Sequence, residues 1–193
     1  MKFYAVKGEN YSNIFTSWDE AKKVISTISN PKYKSFSTES DAKDFLDGKN
    51  PLDRIEEPIC YIDGSYDEKT KAYSFGGVLI YNGKEYEFKR RFESDEYSLH
   101  RNVSGEIRGA SYIINYSLKR GIKKLHIFYD YVGIEKWYKG EWKANTNIAI
   151  KYVNFAKKVK DKIEVVFHKV KSHTNDKYND VADRLAKEAL DLI

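Results

Sequence analysis

The spacing of apolar positions changes period several times along the chain. In the first 46 residues KFYAV and NIFTS alternate with the two-residue period of strands, with Gly8 and Asn10 in the turn between them. In SWDEAKKVISTIS (17–29), Trp18, Ala21, Ile25 and Ile28 recur at helical spacing, and Ser17 stands at the N-cap. KYKSFS reads as a third strand and TESDAKDFL as a second helix capped by Thr38. Residues 47–58, DGKNPLDRIEEP, hold Gly48, Pro51, Pro58 and few apolar residues, the composition of a linker. The pattern therefore predicts a small module over 1–46, a linker over 47–58 and a larger domain over 59–193.

In the larger domain, strand-like runs occupy 59–66, 72–81 and 84–92. A helix over 103–118 presents Ile107, Ala110, Ile114 and Leu118 on one face. The buried-strand run KLHIFYD (124–130), helical patterns at 133–139 and 146–160, the strand KIEVVFHKV (162–170) and a helix over 178–191 complete the chain. Three consecutive strands followed by alternating helices and strands imply an α/β fold with a mixed five-stranded sheet flanked by helices.

Hydrophobic residues make up 41% and charged residues 33% of the 193, a globular balance that excludes a disordered chain. The formal charge is only +5, but its placement is uneven. Between Lys119 and Lys171 fourteen Lys and Arg face five acidic residues, which suits either a polyanionic partner or a solvated helical surface. Cys60 is the single cysteine, so no internal disulfide forms and a reducing compartment is expected. The N-terminus lacks an apolar signal core, and no run approaches the roughly 18 apolar residues of a membrane span. A cytoplasmic protein with no membrane contact and no obligate protein partner is the expectation.

Four acids stand at telling places. Asp63 ends the first strand of the larger domain, Glu106 falls in the first predicted turn of its first helix, Asp130 ends the fourth strand, and Asp183 lies on the last helix. Taken singly, they read as turn residues, a helix N-terminal charge and a solvated helix face. Taken together, they sit at the ends of successive elements, where functional groups converge in such sheets. Clustered carboxylates need cations to stay ionised. Hard oxygen ligands favour Mg2+ or Mn2+ over zinc. Two such ions roughly 4 Å apart suit in-line attack of water on a phosphodiester.

YIDGSY, SGEIRGA, IFYDYVGI and HTNDKYNDVADRLAKEA, in that order, resemble the four motif blocks of type 1 ribonuclease H over residues 59–193. The acids are separated by 43, 24 and 53 residues. The resemblance implies a ribonuclease H-like fold. It also implies hydrolysis of the RNA strand of RNA–DNA hybrids with two Mg2+ ions (Mn2+ a substitute), leaving 5′-phosphate and 3′-hydroxyl ends. Asp63, Glu106, Asp130 and Asp183 are then the catalytic metal ligands. His173 is the loop histidine assisting proton transfer or product release, although VKSH replaces a frequent family glycine. Asn102 is the residue touching the hybrid's minor groove. Gly64, Ser65, Ser104 and Gly105 are small residues that would let nucleic acid approach the backbone, and they equally suit a turn and a helix cap. His100, His126 and His168 read as structural. Trp137 and Trp142 read as packing residues, with a DNA-backbone channel as the alternative.

Residues 1–46 resemble the N-terminal hybrid-binding domain of cellular ribonucleases H, also seen in a caulimovirus inclusion-body protein, through FYAVKG, FTSWDEAKKVI and KYKSFSTESDAKDFL. The resemblance implies a three-stranded antiparallel sheet with two helices, and hybrid contacts from Tyr4, Trp18, Tyr33, Lys34 and Phe36. Ser35 replaces one of two adjacent family lysines. Seven basic and six acidic residues leave the module nearly neutral, so binding would be local and aromatic. Two other readings remain: a transposase, integrase or junction resolvase on the same fold, and a non-catalytic duplex-binding protein. The first would need a further DNA-reading domain, and the second gives no reason to gather four acids near phosphates.

Overall fold

A computed structural model describes residues 2–48, 56–170 and 176–193. Contacts divide the chain into two compact units, Met1–Glu56 and Glu57–Ile193.

In the first unit β1 (Phe3–Gly8) is the centre of an antiparallel sheet of order β2-β1-β3, with β2 at Tyr11–Phe15 and β3 at Lys32–Phe36. Helices α1 (Trp18–Ile25) and α2 (Glu39–Asp47) accompany it. Its fully buried residues are small: Ala5, Val6, Ala21 and Ala42. Thr38 caps α2, its Oγ1 accepting from the Asp41 N–H at 3.2 Å. Ser17 occupies the N-cap of α1, but its hydroxyl makes no capping bond there. The expected extension of α1 to residue 29 is not seen. The Ser26 and Thr27 hydroxyls donate to the carbonyls of Lys23 (2.7 Å) and Val24 (2.9 Å), so they serve the helix terminus and leave Ile28 beyond it. Lys7 Nζ donates to the Phe45 carbonyl at 2.6 Å, placing a cation at the negative end of α2.

The second unit is a five-stranded sheet of order β6-β5-β4-β7-β8. Strands β4 (Ile59–Tyr66), β5 (Tyr73–Tyr81) and β6 (Lys84–Phe92) form an antiparallel meander, and β7 (Lys124–Tyr129) and β8 (Glu164–Lys169) continue it in parallel. Asn82 and Gly83, both at positive φ, make the two-residue β5–β6 turn. Helices α3 (Asn102–Lys119), α4 (Gly133–Lys139) and α5 (Asn147–Val159) share one core with the sheet, built from Cys60, Ile62, Leu125, Ile127, Ile114 and Tyr152 among others. The last helix, α6 (Lys177–Glu188), lies against β4 and β5.

Two glycine seams bring the helices unusually close. A Cβ on Gly76 would stand 2.2 Å from the Ala186 backbone nitrogen, and Gly76 is the cross-strand partner of Asp63. That contact seats α6 on the face of β4 that carries Asp63. Ser74 reinforces it by donating from Oγ to the Ala186 carbonyl at 2.6 Å. A Cβ on Gly105 would fall 1.8 Å from the Ser74 carbonyl oxygen, so α3 is pressed onto the same two strands.

Candidate active site

Alternation along β4 places Tyr61 and Asp63 on one face. Tyr61 pairs with Phe128 of β7, so Asp130, two residues on, stands beside Asp63 just beyond that strand's end. Glu106 reaches the same point from α3. It lies in the second helical turn rather than the first, because the helix starts at Asn102, directly after Arg101 at φ 53°. Ligand oxygens of Asp63, Glu106 and Asp130 lie within 4.8 Å of one another. Asp183, on α6, is outside that group, yet its charge reaches Asp63.

Among the described residues, the electrostatics are dominated by mutual repulsion of acids and burial. Burial, then repulsion from Asp130 and Asp183, pushes the Asp63 carboxyl up to about 7, although its Oδ1 accepts from the Gly64 N–H at 2.7 Å. Glu106 is driven well above the usual carboxylate range by burial first, then by Asp130 and Asp63. Among the described residues neither Glu106 oxygen has a well-formed hydrogen-bond partner, although both are buried. A buried carboxylate beside two others, poorly satisfied by its neighbours, is a donor set that suits a hard divalent cation. Lys187 Nζ, one turn along α6, donates to Asp183 Oδ2 at 2.7 Å and lowers the Asp63 carboxyl's proton affinity.

Other expected site residues fall differently. The small size of Gly64 serves internal packing, since a Cβ there would meet the Asn102 carbonyl at 2.2 Å. Ser104 is fully buried and donates to the Tyr97 carbonyl at 2.6 Å, so it offers no surface to nucleic acid. Gly105 is likewise occupied by Ser74. Ser65 is partly exposed and Asn102 exposed at the start of α3. His173 lies outside the described residues. His126 Nδ1 and His168 Nε2 share a hydrogen bond of 2.8 Å between β7 and β8. Trp137 packs against the core, whereas Trp142 is 42% exposed, its ring edge-on to Trp137.

In the small unit Trp18 joins Tyr4 (ring centroids 5.5 Å) and Tyr33 (6.0 Å) in one row. Trp18 and Tyr33 are 42% and 51% exposed. Ser35 pairs with Tyr4 and so shares that face. Lys34 and Phe36, alternating with Tyr33 and Ser35, stand on the other face of β3. There Phe36 packs on Phe45 at 5.6 Å, and Lys34 lies over the Phe36 ring.

The sequence reading missed two partners of the site. Lys187 follows Asp183 by four residues, an ion-pair spacing legible in DRLAK. Tyr61 donates from its hydroxyl to Asp176 Oδ2 at 3.3 Å, tying β4 to the N-cap of α6. Those two residues are 115 positions apart and nothing local links them.

Comparison with known proteins agrees with this architecture. Residues 56–191 match the RNase H family, and residues 2–46 match the ribonuclease H1 N-terminal domain. The ribonuclease H of Clostridium botulinum is 26% identical over 153 residues, spanning 71% of this chain and 97% of that protein. Among solved structures, RNase H1 of Halobacterium salinarum superposes with a TM-score of 0.58 at 21% identity, covering 70% of this chain and 98% of its own. LC11-RNase H1, solved in complex with an RNA/DNA hybrid, gives 0.52 at 15% identity over 69% of this chain and 99% of its own. Among the described residues no helix is long and apolar enough to cross a membrane. The chain belongs to the RNase H family.

Proposed function

We propose that this protein hydrolyses the RNA strand of RNA–DNA hybrids with two divalent ions, magnesium by preference, held by Asp63, Glu106, Asp130 and Asp183, leaving 5′-phosphate and 3′-hydroxyl ends. The observation that carries the reading is the convergence of ligand oxygens of Asp63, Glu106 and Asp130, with Glu106 buried. When bound, the ions supply Lewis acidity to the attacking water and positive charge to the departing oxygen. The protein's own contribution is placement. Gly76 and Gly105 let α6 and α3 close on β4 and β5, so Glu106 joins Asp63 and Asp130, with Asp183 carried on the neighbouring helix. Asp63 and Glu106, whose charged forms are disfavoured, give up their protons as cations enter. His173 is assigned to proton transfer or product release on the strength of the resemblance.

The small module, residues 1–46, is assigned to hybrid binding through the Tyr4–Trp18–Tyr33 row, whose exposed rings suit stacking on sugars or bases. Lys34 and Phe36, on the other face of β3, and Ser65 and Asn102 near the acids complete the proposed contacts. The hybrid seen with LC11-RNase H1 is consistent with this substrate class.

The test follows cleavage of one labelled strand in RNA–DNA, RNA–RNA and DNA–DNA duplexes, with magnesium and then with EDTA. Cutting confined to the hybrid's RNA, lost in EDTA and in Asp63→Asn, is expected. Tight hybrid binding without cutting would make this a binding protein, and unchanged turnover in Asp63→Asn would overturn the site.

A further inference from the structure

The charged residues of α6 divide into two sets. Arg184 pairs with Glu87 at 3.0 Å and Lys177 with Glu85 at 3.3 Å, while Glu188 accepts from Lys89 at 2.7 Å; these contacts fasten the helix to β6. Lys187 does none of this. Its ammonium is turned to Asp183 at 2.7 Å, with 41% of the side chain exposed against 38% for Asp183. The helix cannot rotate to place it elsewhere, because Ala182 and Ala186 are buried against Gly76 and Ser74. A tethered cation is therefore built in beside the acid cluster, which among the described residues receives little other positive charge.

We propose that Lys187 is a resident counter-charge that occupies the Asp183 carboxylate until a divalent ion displaces it, and thereby sets how much divalent ion the site needs. The inference rests on the four carboxylates being metal ligands. Displacement has two consequences. The incoming ion must compete for Asp183, and it is repelled by an ammonium held within one helical turn. Both weaken its binding. For a partly solvated ammonium a few ångströms from a doubly charged ion, removing it should tighten binding by about tenfold. In the metal-free protein the same ammonium relieves part of the repulsion among the acids.

The test is calorimetric titration of Mn2+ into the full chain without nucleic acid, for wild type, Lys187→Gln and Lys187→Arg. Thermal unfolding in EDTA checks that each variant folds. Lys187→Gln should bind Mn2+ about tenfold more tightly, and Lys187→Arg should stay within about threefold of wild type. In an Asp183→Asn background, Lys187→Gln should have much less effect, because the competition for Asp183 is gone. Equal affinity of wild type and Lys187→Gln, or weaker binding by Lys187→Gln, overturns the inference while leaving the metal site intact. An absence of Mn2+ binding in wild type overturns the four-carboxylate reading, and this inference with it.

Discussion

Replacing Asp63 with Asn should make the metal-free protein more stable at neutral and alkaline pH, even though it removes a proposed catalytic ligand. The carboxyl titrates near 7 in the folded chain against an ordinary 3.8. At about 1.4 kcal/mol for each tenfold change in proton affinity, that gap corresponds to about 4 kcal/mol. Its sign follows from which state holds the proton. Between pH 3.8 and 7 the folded protein binds a proton that the unfolded chain has released. The stability this group contributes is therefore whole below about 3.8 and lost as pH rises to about 7. The amide of the Asp63→Asn variant carries no charge to repel Asp130 and Asp183, and its oxygen can still accept from the Gly64 N–H.

Part of the gap will be absorbed as neighbouring acids readjust, so a gain of about 2–4 kcal/mol at pH 8 is expected, shrinking to nearly nothing at pH 4. Urea unfolding in EDTA, followed by circular dichroism at both pH values, reads this directly. With a slope near 2 kcal/mol per molar, the midpoint at pH 8 should rise by about 1–2 M. Saturating magnesium should reverse the order, since only the wild-type site keeps all four carboxylates to bind the ions. Equal stability of the two proteins at pH 8 in EDTA would refute the reasoning, and so would a difference that does not change with pH.

Three further outcomes follow from the geometry. Gly105→Ala drives a methyl group to 1.8 Å from the backbone carbonyl of Ser74, which cannot swing aside, and should lower stability by about 3 kcal/mol or abolish folding, as thermal unfolding would show. Tyr61→Phe deletes the hydroxyl that holds Asp176 and should cost about 1 kcal/mol in urea unfolding, with kcat falling more than KM rises if α6 positions Asp183. Trp18→Ala removes the middle ring of the exposed row. It should raise the hybrid concentration needed for half-maximal rate several-fold while leaving the melting temperature nearly unchanged.

Strand and helix existence in both units was legible because the apolar periods are strong and the turns carry their own chemistry, as at Asn82–Gly83. Asp130 was legible because a carboxylate closing an apolar strand is conspicuous; Asp63 stood out after an apolar run, although β4 continues past it to Tyr66 and Asp63 does not end the strand as expected. What stayed hidden depends on partners distant in sequence. Gly64, Ser104 and Gly105 look like residues that admit a ligand, but their neighbours are Asn102, Tyr97 and Ser74, which only the folded sheet brings near. The early end of α1 turns on which carbonyls the Ser26 and Thr27 hydroxyls reach. The small module shows the same limit from another side. Tyr33, Lys34 and Phe36 are contiguous enough to suggest one surface, yet strand alternation sends Lys34 and Phe36 away from Trp18.

The features that place the site also load it electrostatically. Glycine seams at Gly76 and Gly105 admit two helices close enough to deliver Asp183 and Glu106, and the same closeness excludes the water that would solvate Glu106. Burial then raises the proton affinity of Asp63 and Glu106, so the folded state favours the protonated forms of these two until cations arrive. Lys187 supplies one positive charge on a helix that cannot turn away, and it is paired with Asp183. Divalent ions bound by these carboxylates would supply the further positive charge. On this reasoning fold stability, pH and metal affinity are one linked equilibrium in this protein, and a substitution at Asp63, Gly105 or Lys187 should move all three together.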